Sequence, residues 1–517
     1  VTSYQTRLGL TFAPSSYQAA IFDRIENGRG HLVVEAVAGS GKTSTILAAA
    51  KLIAGDGLFV AFNKSIADLL GQRLRGTTMD ASTVHSHGFK AIRAAFGRVR
   101  VDAKKYKDMV AGAERRAQTG SLLGQRLDRM QLEAIREDGF PRRACERLID
   151  LARLSLLDLD ASEVDFDRAL LALASRHDLA DWDPCLDSIV CAVVQRCMQN
   201  GADLTDCVDF TDMVWLPTVL QLRPRQYSWL FVDECQDISA AARALLTSSI
   251  RAGGRMLFVG DRRQAIYGFA GADSESFAAI IDELDADVLP LSVCYRCPTA
   301  VLDVAREYCP QIEAREGAPE GAVRKVKRDD YVSEAREGDL VVCRRTAPLL
   351  SLCFELISEG VPAVVRGRDI AAGLCAAVKK AAKGRSFSDF RSGLDAWEEH
   401  GIDAARARIT DADRLGEAID RVSDKAEAIR VIYARSKATS VAELVRAIED
   451  LFSDDRGSVT LSTVHKAKGL EAERVGILDP SRLMSAWAKQ DWQIEQERNL
   501  AYVAYTRAMS EIIEIDG

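Results

Sequence analysis

The stretch Ala36-Val37-Ala38-Gly39-Ser40-Gly41-Lys42-Thr43 decides the fold. An apolar run, His31 to Ala36, gives way to a glycine-rich turn, a Lys-Thr pair, and then good helix formers from Ser44 to Lys51. Strand, turn and helix in this order make a phosphate cradle. Backbone N–H groups and the helix N-terminus face the phosphates, a lysine reaches the outer ones, and a hydroxyl is offered to Mg²⁺. Ala38, Gly39, Ser40, Gly41, Lys42, Thr43 and Ser44 are therefore the candidate nucleotide-binding residues. Ala36 stands where the common pattern has its first glycine.

Trp229-Leu230-Phe231-Val232-Asp233-Glu234 is the complementary half. A buried apolar strand ending in two acids places carboxylates at the edge of an open α/β sheet where ligands bind. Asp233 is expected to hold Mg²⁺ together with Thr43, and Glu234 to orient and deprotonate the attacking water. An acidic pair that merely caps a strand loses ground once a phosphate-binding turn lies upstream.

Outward from these motifs, short apolar runs with polar or glycine-rich exits read as parallel strands. His31 to Ala36, Leu58 to Phe62, Trp229 to Val232 and Met256 to Val259 form one set. Asp287 to Leu291, Leu340 to Cys343, Ala363 to Val365, Val459 to Ser462 and Arg474 to Leu478 form a second. Two sets predict two α/β domains. Residues from about 90 to 205 and from about 371 to 455 are helix-rich without strand signal and read as insertions. In the latter, Leu415, Ile419, Val422, Ala426 and Ile429 share one helix face. Ser440 with Glu443 makes a capping box ahead of Leu444, Val445 and Ile448.

Composition sets the outer bounds. The 517 residues are 47% hydrophobic and 28% charged, ordinary for a globular chain, and the length predicts three or four domains. No apolar run is long enough to span a membrane, and Val1 to Leu10 is too polar for a signal peptide. Twelve cysteines without a regular framework read as scattered buried thiols in a reducing, cytoplasmic setting. Cys185, Cys191, Cys197 and Cys207 match no ligand spacing, and Cys294-Tyr295-Arg296-Cys297 is a lone CxxC, so no metal is expected at either. Net charge is −8, yet Lys90 to Met130 carries eleven Lys/Arg against four Asp/Glu. That excess has two readings, a phosphate track or a solvated helical face.

Beyond the two nucleotide motifs the chain resembles superfamily 1 DNA helicases of the UvrD/Rep group, in order and over nearly its whole length. Gln18 matches the upstream glutamine that reads adenine. Phe62-Asn63-Lys64 and Thr83-Val84-His85-Ser86 match segments that touch single-stranded DNA, and their form leans to the small Fbh1-like and phage-type branch. Asp233-Glu234-Cys235-Gln236-Asp237, Gly260-Asp261-Arg262-Arg263-Gln264 with Ile266-Tyr267-Gly268-Phe269, and Tyr295-Arg296 are similar to the next three motifs. Thr463-Val464-His465-Lys466-Ala467-Lys468-Gly469-Leu470-Glu471 and Glu497 to Ala508, with Thr506-Arg507-Ala508, resemble the last two. The resemblance implies that Gln264 senses the γ-phosphate, that Arg296 and Arg507 meet the charge developing on it, that Tyr295 stacks on adenine and that Glu471 accepts from the ribose. It also makes Phe62, Asn63, His85, Tyr267, Phe269 and His465 the candidates for the nucleic-acid track, where rings stack on bases without regard to sequence. Taken singly, each aromatic is better read as core; within the motif, Tyr267 and Phe269 are read as part of the track.

Departures from the family pattern are visible. Ala270 replaces an arginine found in many relatives, Gly268 a longer side chain, and the segment 371–455 is short. Only ten residues follow Arg507, so no nuclease domain is expected. The expected organisation is α/β, with two RecA-like domains. Residues 1–90 and 206–285 make the first, with 91–205 as its helical insertion. Residues 286–370 and 456–517 make the second, with 371–455 inserted. The expected activity is ATP- and Mg²⁺-dependent 3′→5′ translocation on single-stranded DNA with unwinding at single-strand/duplex junctions. Two rivals are a translocase that strips proteins without processive unwinding, and a nucleotide-switched DNA-binding scaffold. RNA as partner stays open.

Overall fold

A computed structural model describes residues 2–61, 64–137, 139–177, 179–180, 182–266, 276–408, 412–452, 459–485, 488 and 491–516. Phe62, Asn63, Tyr267, Gly268, Phe269 and Ala270 lie outside the described residues. The chain divides into two compact units, Val1–Ala36 with Gly41–Leu291, and Val37–Ser40 with Ser292–Gly517.

The first unit is built on six parallel strands: β1 (Leu32–Ala36), β2 (Gly57–Ala61), β3 (Met79–Thr83), β4 (Tyr227–Val232), β5 (Ile250–Gly260) and β6 (Asp287–Leu291), in the order β6-β1-β5-β4-β2-β3. Helices cover both faces, so β1, β2 and β4 are almost continuously apolar and buried rather than alternating. The order sets the C-terminal ends of β1, β5 and β4 side by side, and the candidate nucleotide residues follow those ends. β5 ends in Gly260, where a Cβ would come within 2.5 Å of Gln236 Oε1 and 2.7 Å of Cys235 Sγ. Glycine is required there by that close approach.

One strand departs from expectation. Asp287–Leu291 was grouped with the later strands, but it pairs in parallel with β1, from Leu32 opposite Asp287 to Ala36 opposite Leu291. Helix Ser276–Leu284 and a left-handed residue, Asp285 (φ 46°), return the chain to the open edge of β1, and Leu291 enters the core beside Leu32 and Val34. Periodicity reports that a segment is a strand, not which strand it meets.

The insertion in this unit packs helices Lys105–Gln118, Arg142–Leu154, Glu163–Arg176 and Asp187–Asp203 around Val110, Leu148, Ile149, Phe166 and Val190. It is not free of strand. Arg100–Val101 pairs in parallel with Cys207–Val208, tying its two ends together, and Ser121–Leu122 forms a ribbon with Gln125–Arg126. The basic excess is smaller than its count, because Lys105 is buried with its Nζ 2.7 Å from Asp212 Oδ2. Arg100 is also paired, with Asp102 at 2.6 Å.

The second unit holds β7 (Ala322–Lys327), β8 (Leu340–Cys343), β9 (Ala363–Val365), β10 (Val459–Thr463), β11 (Ala472–Leu478) and β12 (Ala508–Asp516), all parallel in the order β7-β12-β11-β8-β10-β9. Its inserted helices run over Arg368–Ala381, Phe390–Arg408, Ala412–Arg435 and Val441–Leu451. Ala426, Ile429, Leu444 and Ile448 are fully buried among them. Ser440 Oγ accepts from the Glu443 N–H at 3.2 Å, but the Glu443 carboxylate returns to Thr439 N at 2.8 Å rather than to Ser440. Among the described residues no helix is long and apolar enough to cross a membrane, and no group of three or more His, Cys, Asp and Glu is placed to hold a metal ion. All twelve cysteines are free thiols, and every one but Cys185 is buried.

Candidate functional site

The glycine-rich turn leaves β1 and opens the helix Lys42–Ala49. Gly39 (φ 67°) and Gly41 (φ 75°) take the left-handed conformation that turns successive N–H groups to one side. The Ser40 hydroxyl is buried at 1% exposure and has no hydrogen-bond partner. An orphaned donor in a cradle of N–H groups, with Lys42 beside it, fits a polyphosphate. Ser44 is exposed on the helix that follows.

The acidic partners come from the end of β4. Thr43 Oγ1 donates to Asp233 Oδ2 at 3.0 Å, and Lys42 Nζ stands 3.8 Å from Glu234 Oε1. A hydroxyl and a carboxylate are hard oxygen ligands, the set that suits Mg²⁺. Burial, and then the neighbouring Glu234 charge, push the Asp233 carboxyl up to about 6, against the opposing pull of Lys42 and Thr43. Glu234 sits at φ 53°, a left-handed conformation that a side-chain-bearing residue keeps only where its surroundings hold it.

From Glu234 a line of amides and acids runs inward. Gln236 Nε2 donates to Glu234 Oε2 at 2.6 Å, and Gln236 Oε1 accepts from the Asp261 N–H at 3.1 Å. Gln264 Nε2 donates to Asp261 Oδ2 at 2.6 Å. The expected base and the expected sensor are thus joined through Gln236 and Asp261, to which the sequence assigned no role. Their positions inside the quoted motifs were the available signal. Gln18 differs from expectation in its surroundings. It is buried, its Oε1 accepts from the Ser15 N–H at 3.0 Å in a capping box, and its Nε2 donates to Thr45 Oγ1 at 2.9 Å. Its amide braces the helix that follows the cradle.

The second unit gathers another set. Arg296 Nε lies 2.7 Å from Glu471 Oε2, and Arg296 Nη1 donates to the Thr506 carbonyl at 3.2 Å. Arg507 is 1% exposed and donates to the Val503 carbonyl at 2.9 Å, the Leu470 carbonyl at 3.4 Å and Thr506 Oγ1 at 3.1 Å. Tyr295, beside them, is 39% exposed. Arg296, Glu471 and Arg507 therefore form one constellation, in which two of the residues expected on a nucleotide are paired with each other.

Of the track candidates, His85 is exposed on the first turn of helix Val84–Phe96. His465 is half-buried on helix Val464–Ala467, and burial, followed by the charges of Arg344, Lys466 and Arg421, brings its imidazole down to about 4. A ring that sequence reading missed is Phe210, 58% exposed between the buried Asp209 and Asp212. The signal for it was an aromatic between two acids at the head of a helix.

Residues 18–285 match the UvrD/REP helicase N-terminal domain, and residues 358–515 the UvrD-like helicase C-terminal domain. The chain is 24% identical over 552 residues to the ATP-dependent DNA helicase UvrD2 of Mycobacterium tuberculosis (strain ATCC 25618 / H37Rv), covering 93% of this chain and 75% of that protein. It is 25% identical over 322 residues to DNA helicase IV of Escherichia coli (strain K12), covering 56% of this chain and 46% of that one. With DNA helicase II of the same organism it shares 28% over 121 residues, 22% of this chain and 17% of the relative.

Proposed function

The chain belongs to the UvrD/Rep helicase family and is an ATP-dependent DNA helicase; from that premise we propose that it moves 3′→5′ on single-stranded DNA and opens duplexes at single-strand junctions. We assign residues 1–90 and 206–291 to one RecA-like domain and 292–370 with 456–517 to the other, with helical insertions at 91–205 and 371–455. ATP is hydrolysed with residues of both.

The observation that carries this reading is the continuous line from Thr43 and Asp233 through Glu234, Gln236 and Asp261 to Gln264. Bound ATP and Mg²⁺ supply the phosphoanhydride and the cation that screens it. Thr43 Oγ1 and the Asp233 carboxylate would hold the cation, and the N–H groups of residues 39 and 41–44 with Lys42 Nζ would hold the phosphates, since the Ala38 N–H donates to Tyr502 Oη at 2.7 Å and the Ser40 N–H to the Val37 carbonyl at 3.3 Å. Glu234 takes a proton from the attacking water at its carboxylate. Gln264, hydrogen-bonded to Asp261, follows the presence of the γ-phosphate because an amide both donates and accepts. Arg296 and Arg507 stabilise the charge developing on the transferred group, Tyr295 stacks on the base, and Glu471 accepts from the ribose. Gln18 acts on the base edge or by bracing Thr45. Bases stack on Phe62, Tyr267, Phe269 and the exposed Phe210, with Asn63, His85 and His465 as polar contacts.

ATP turnover measured with DNA, with RNA and with no strand tests the partner. Strand displacement from duplexes carrying a 3′ or a 5′ single-stranded tail tests the polarity. Displacement only from 5′-tailed duplexes, or turnover that RNA stimulates and DNA does not, overturns the proposal.

A further inference from the structure

Cys294 and Cys297 bracket Tyr295 and Arg296, and the nucleotide chemistry uses neither thiol. Cys294 ends a short strand, Val293–Cys294, that pairs in parallel with Glu313–Ala314. Beyond it the chain turns back, and the Cys297 N–H donates to Cys294 Sγ at 3.4 Å. The two thiols are within hydrogen-bond reach of each other. A bond between sulfurs demands close, correctly turned backbone positions, and this turn already brings the two sulfurs together.

The sulfurs differ in charge. The hydrogen bond from the Cys297 thiol, set against burial, holds Cys294 below the ordinary thiol range; the N–H groups of Cys297 and Arg296 and then the Arg296 charge add to it. Cys297 is raised well above that range by the same hydrogen bond and then by burial. At Cys145, Cys191, Cys235 and Cys343 burial comes first and raises the thiol. A nucleophilic sulfur and a protonated one to resolve it therefore stand side by side.

The pair is also tied to the guanidinium it encloses. Cys297 Sγ donates to the Thr506 carbonyl at 3.7 Å, and that carbonyl accepts from Arg296 Nη1 at 3.2 Å. Arg296 Nε lies 2.7 Å from Glu471 Oε2. Cys294 is 0% and Cys297 2% exposed, whereas Tyr295 between them is 39% exposed. The turn thus lies at the surface with its sulfurs facing inward, which restricts the oxidant to one near water in size.

We propose that Cys294 and Cys297 are a reversible oxidation site, at which hydrogen peroxide joins the two sulfurs, displaces Arg296 and lowers ATP turnover. The Cys294 thiolate attacks one peroxide oxygen; the O–O bond breaks, hydroxide leaves, and a sulfenic acid forms. Cys297 Sγ then attacks that sulfur; the S–O bond breaks, and the hydroxyl leaves with the Cys297 proton as water. The two cysteines lose two electrons, and the peroxide is reduced to two waters once the hydroxide takes up the proton Cys294 had released. The product has no S–H for the Thr506 carbonyl and draws the chain tight around Arg296. The link to turnover rests on the reading that Arg296 acts on the nucleotide; the disulfide does not.

The test treats the folded, full chain with hydrogen peroxide and reads two quantities, the mass of the peptide containing both cysteines and the ATPase rate before and after dithiothreitol. The peptide should lose two hydrogens. Turnover should fall by about tenfold or more, since a small misplacement of a group acting on the transition state can cost about 10²-fold, and dithiothreitol should restore both. Cys297→Ser should keep its basal rate and stop at a sulfenic acid on Cys294 that dimedone traps, whereas Cys294→Ser should resist peroxide. Cys185→Ser, at the one cysteine that is not buried, should respond as wild type does. Thiols that stay free in the peptide overturn the proposal, as does an equal loss of turnover in both serine variants or a response that Cys185→Ser abolishes. A disulfide that leaves turnover unchanged overturns the link to Arg296. A wild-type chain without ATPase activity overturns the helicase reading, while the peptide mass still decides the oxidation site. Thermal unfolding identifies a variant that has lost its fold, and the alanine variant then replaces the serine one.

Discussion

The Thr43 hydroxyl donates to the Asp233 carboxylate at 3.0 Å, joining the end of the glycine-rich turn to the end of a strand 190 residues later. The same carboxyl is pushed up to about 6 by burial and by Glu234. Its folded value exceeds its unfolded one, so the native state binds the extra proton between about pH 4 and 6 and carries the full cost of the buried charge above pH 6. Asp233→Asn should therefore raise stability at pH 7.5 by roughly 1–3 kcal/mol, measured by denaturant unfolding, while abolishing Mg²⁺-dependent turnover. A destabilised variant would mean that the charge is compensated in the folded protein.

Binding and chemistry should separate. Lys42→Ala is expected to weaken ATP binding and end turnover, whereas Glu234→Gln should bind ATP normally and fail to hydrolyse it. Fluorescent-nucleotide titration alongside phosphate release distinguishes the two. Near-wild-type turnover in Glu234→Gln would remove Glu234 from the role of base.

Arg507→Ala should slow hydrolysis by about 10³ or more with little change in ATP affinity, as for arginines that act on the transition state. Arg507→Lys should rescue little, because the hydrogen bonds to the Val503 and Leu470 carbonyls and to Thr506 Oγ1 use the fork of the guanidinium. Single-turnover rates at saturating ATP check this. A variant that lost affinity but kept its maximal rate would place the residue in ground-state binding.

His87 is buried, 2.8 Å from Ser249 Oγ, and its imidazole is brought down to about 4 by burial first and then by Lys90 and Arg225. Stability from the neutral ring is complete above about pH 6.5 and is lost as pH falls towards 4. Urea midpoints should drop across that window, by an amount corresponding to about 1–3 kcal/mol for this residue. In His87→Gln that share of the slope should vanish; an unchanged slope would assign the acid sensitivity elsewhere.

Tyr267 and Phe269 follow Gln264 by three and five residues. Replacing both by alanine should remove roughly 2–6 kcal/mol of stacking if two bases are lost. DNA stimulation of turnover should collapse while residual binding becomes strongly salt-sensitive. ATPase rate against oligonucleotide concentration at two salt levels is the measurement, and undiminished stimulation would make these rings core residues.

The sequence alone determined the parts governed by local chemistry. A glycine-rich turn between an apolar run and a helix, and two acids closing another apolar run, dictate their own backbone and state their own charges. Eight of the strands were legible because burial leaves an apolar run, and Asp287–Leu291 from its apolar residues alone, since it is an edge strand buried only at Leu291. Met79–Thr83, Ala322–Lys327 and Ala508–Asp516 were not, since the first two are polar edge strands and the last interleaves Glu511 and Glu514 with its isoleucines. Only the tertiary structure decided what depends on partners far along the chain. It gave Asp287–Leu291 to the first sheet, turned the amide of Gln18 towards Thr45, and placed Gln236 and Asp261 between Glu234 and Gln264. It also paired Arg153 with Asp209, 56 residues on. Periodicity carries the face on which a residue lies but not the neighbour it meets there, and a hydrogen bond or ion pair exists only once that neighbour is in reach.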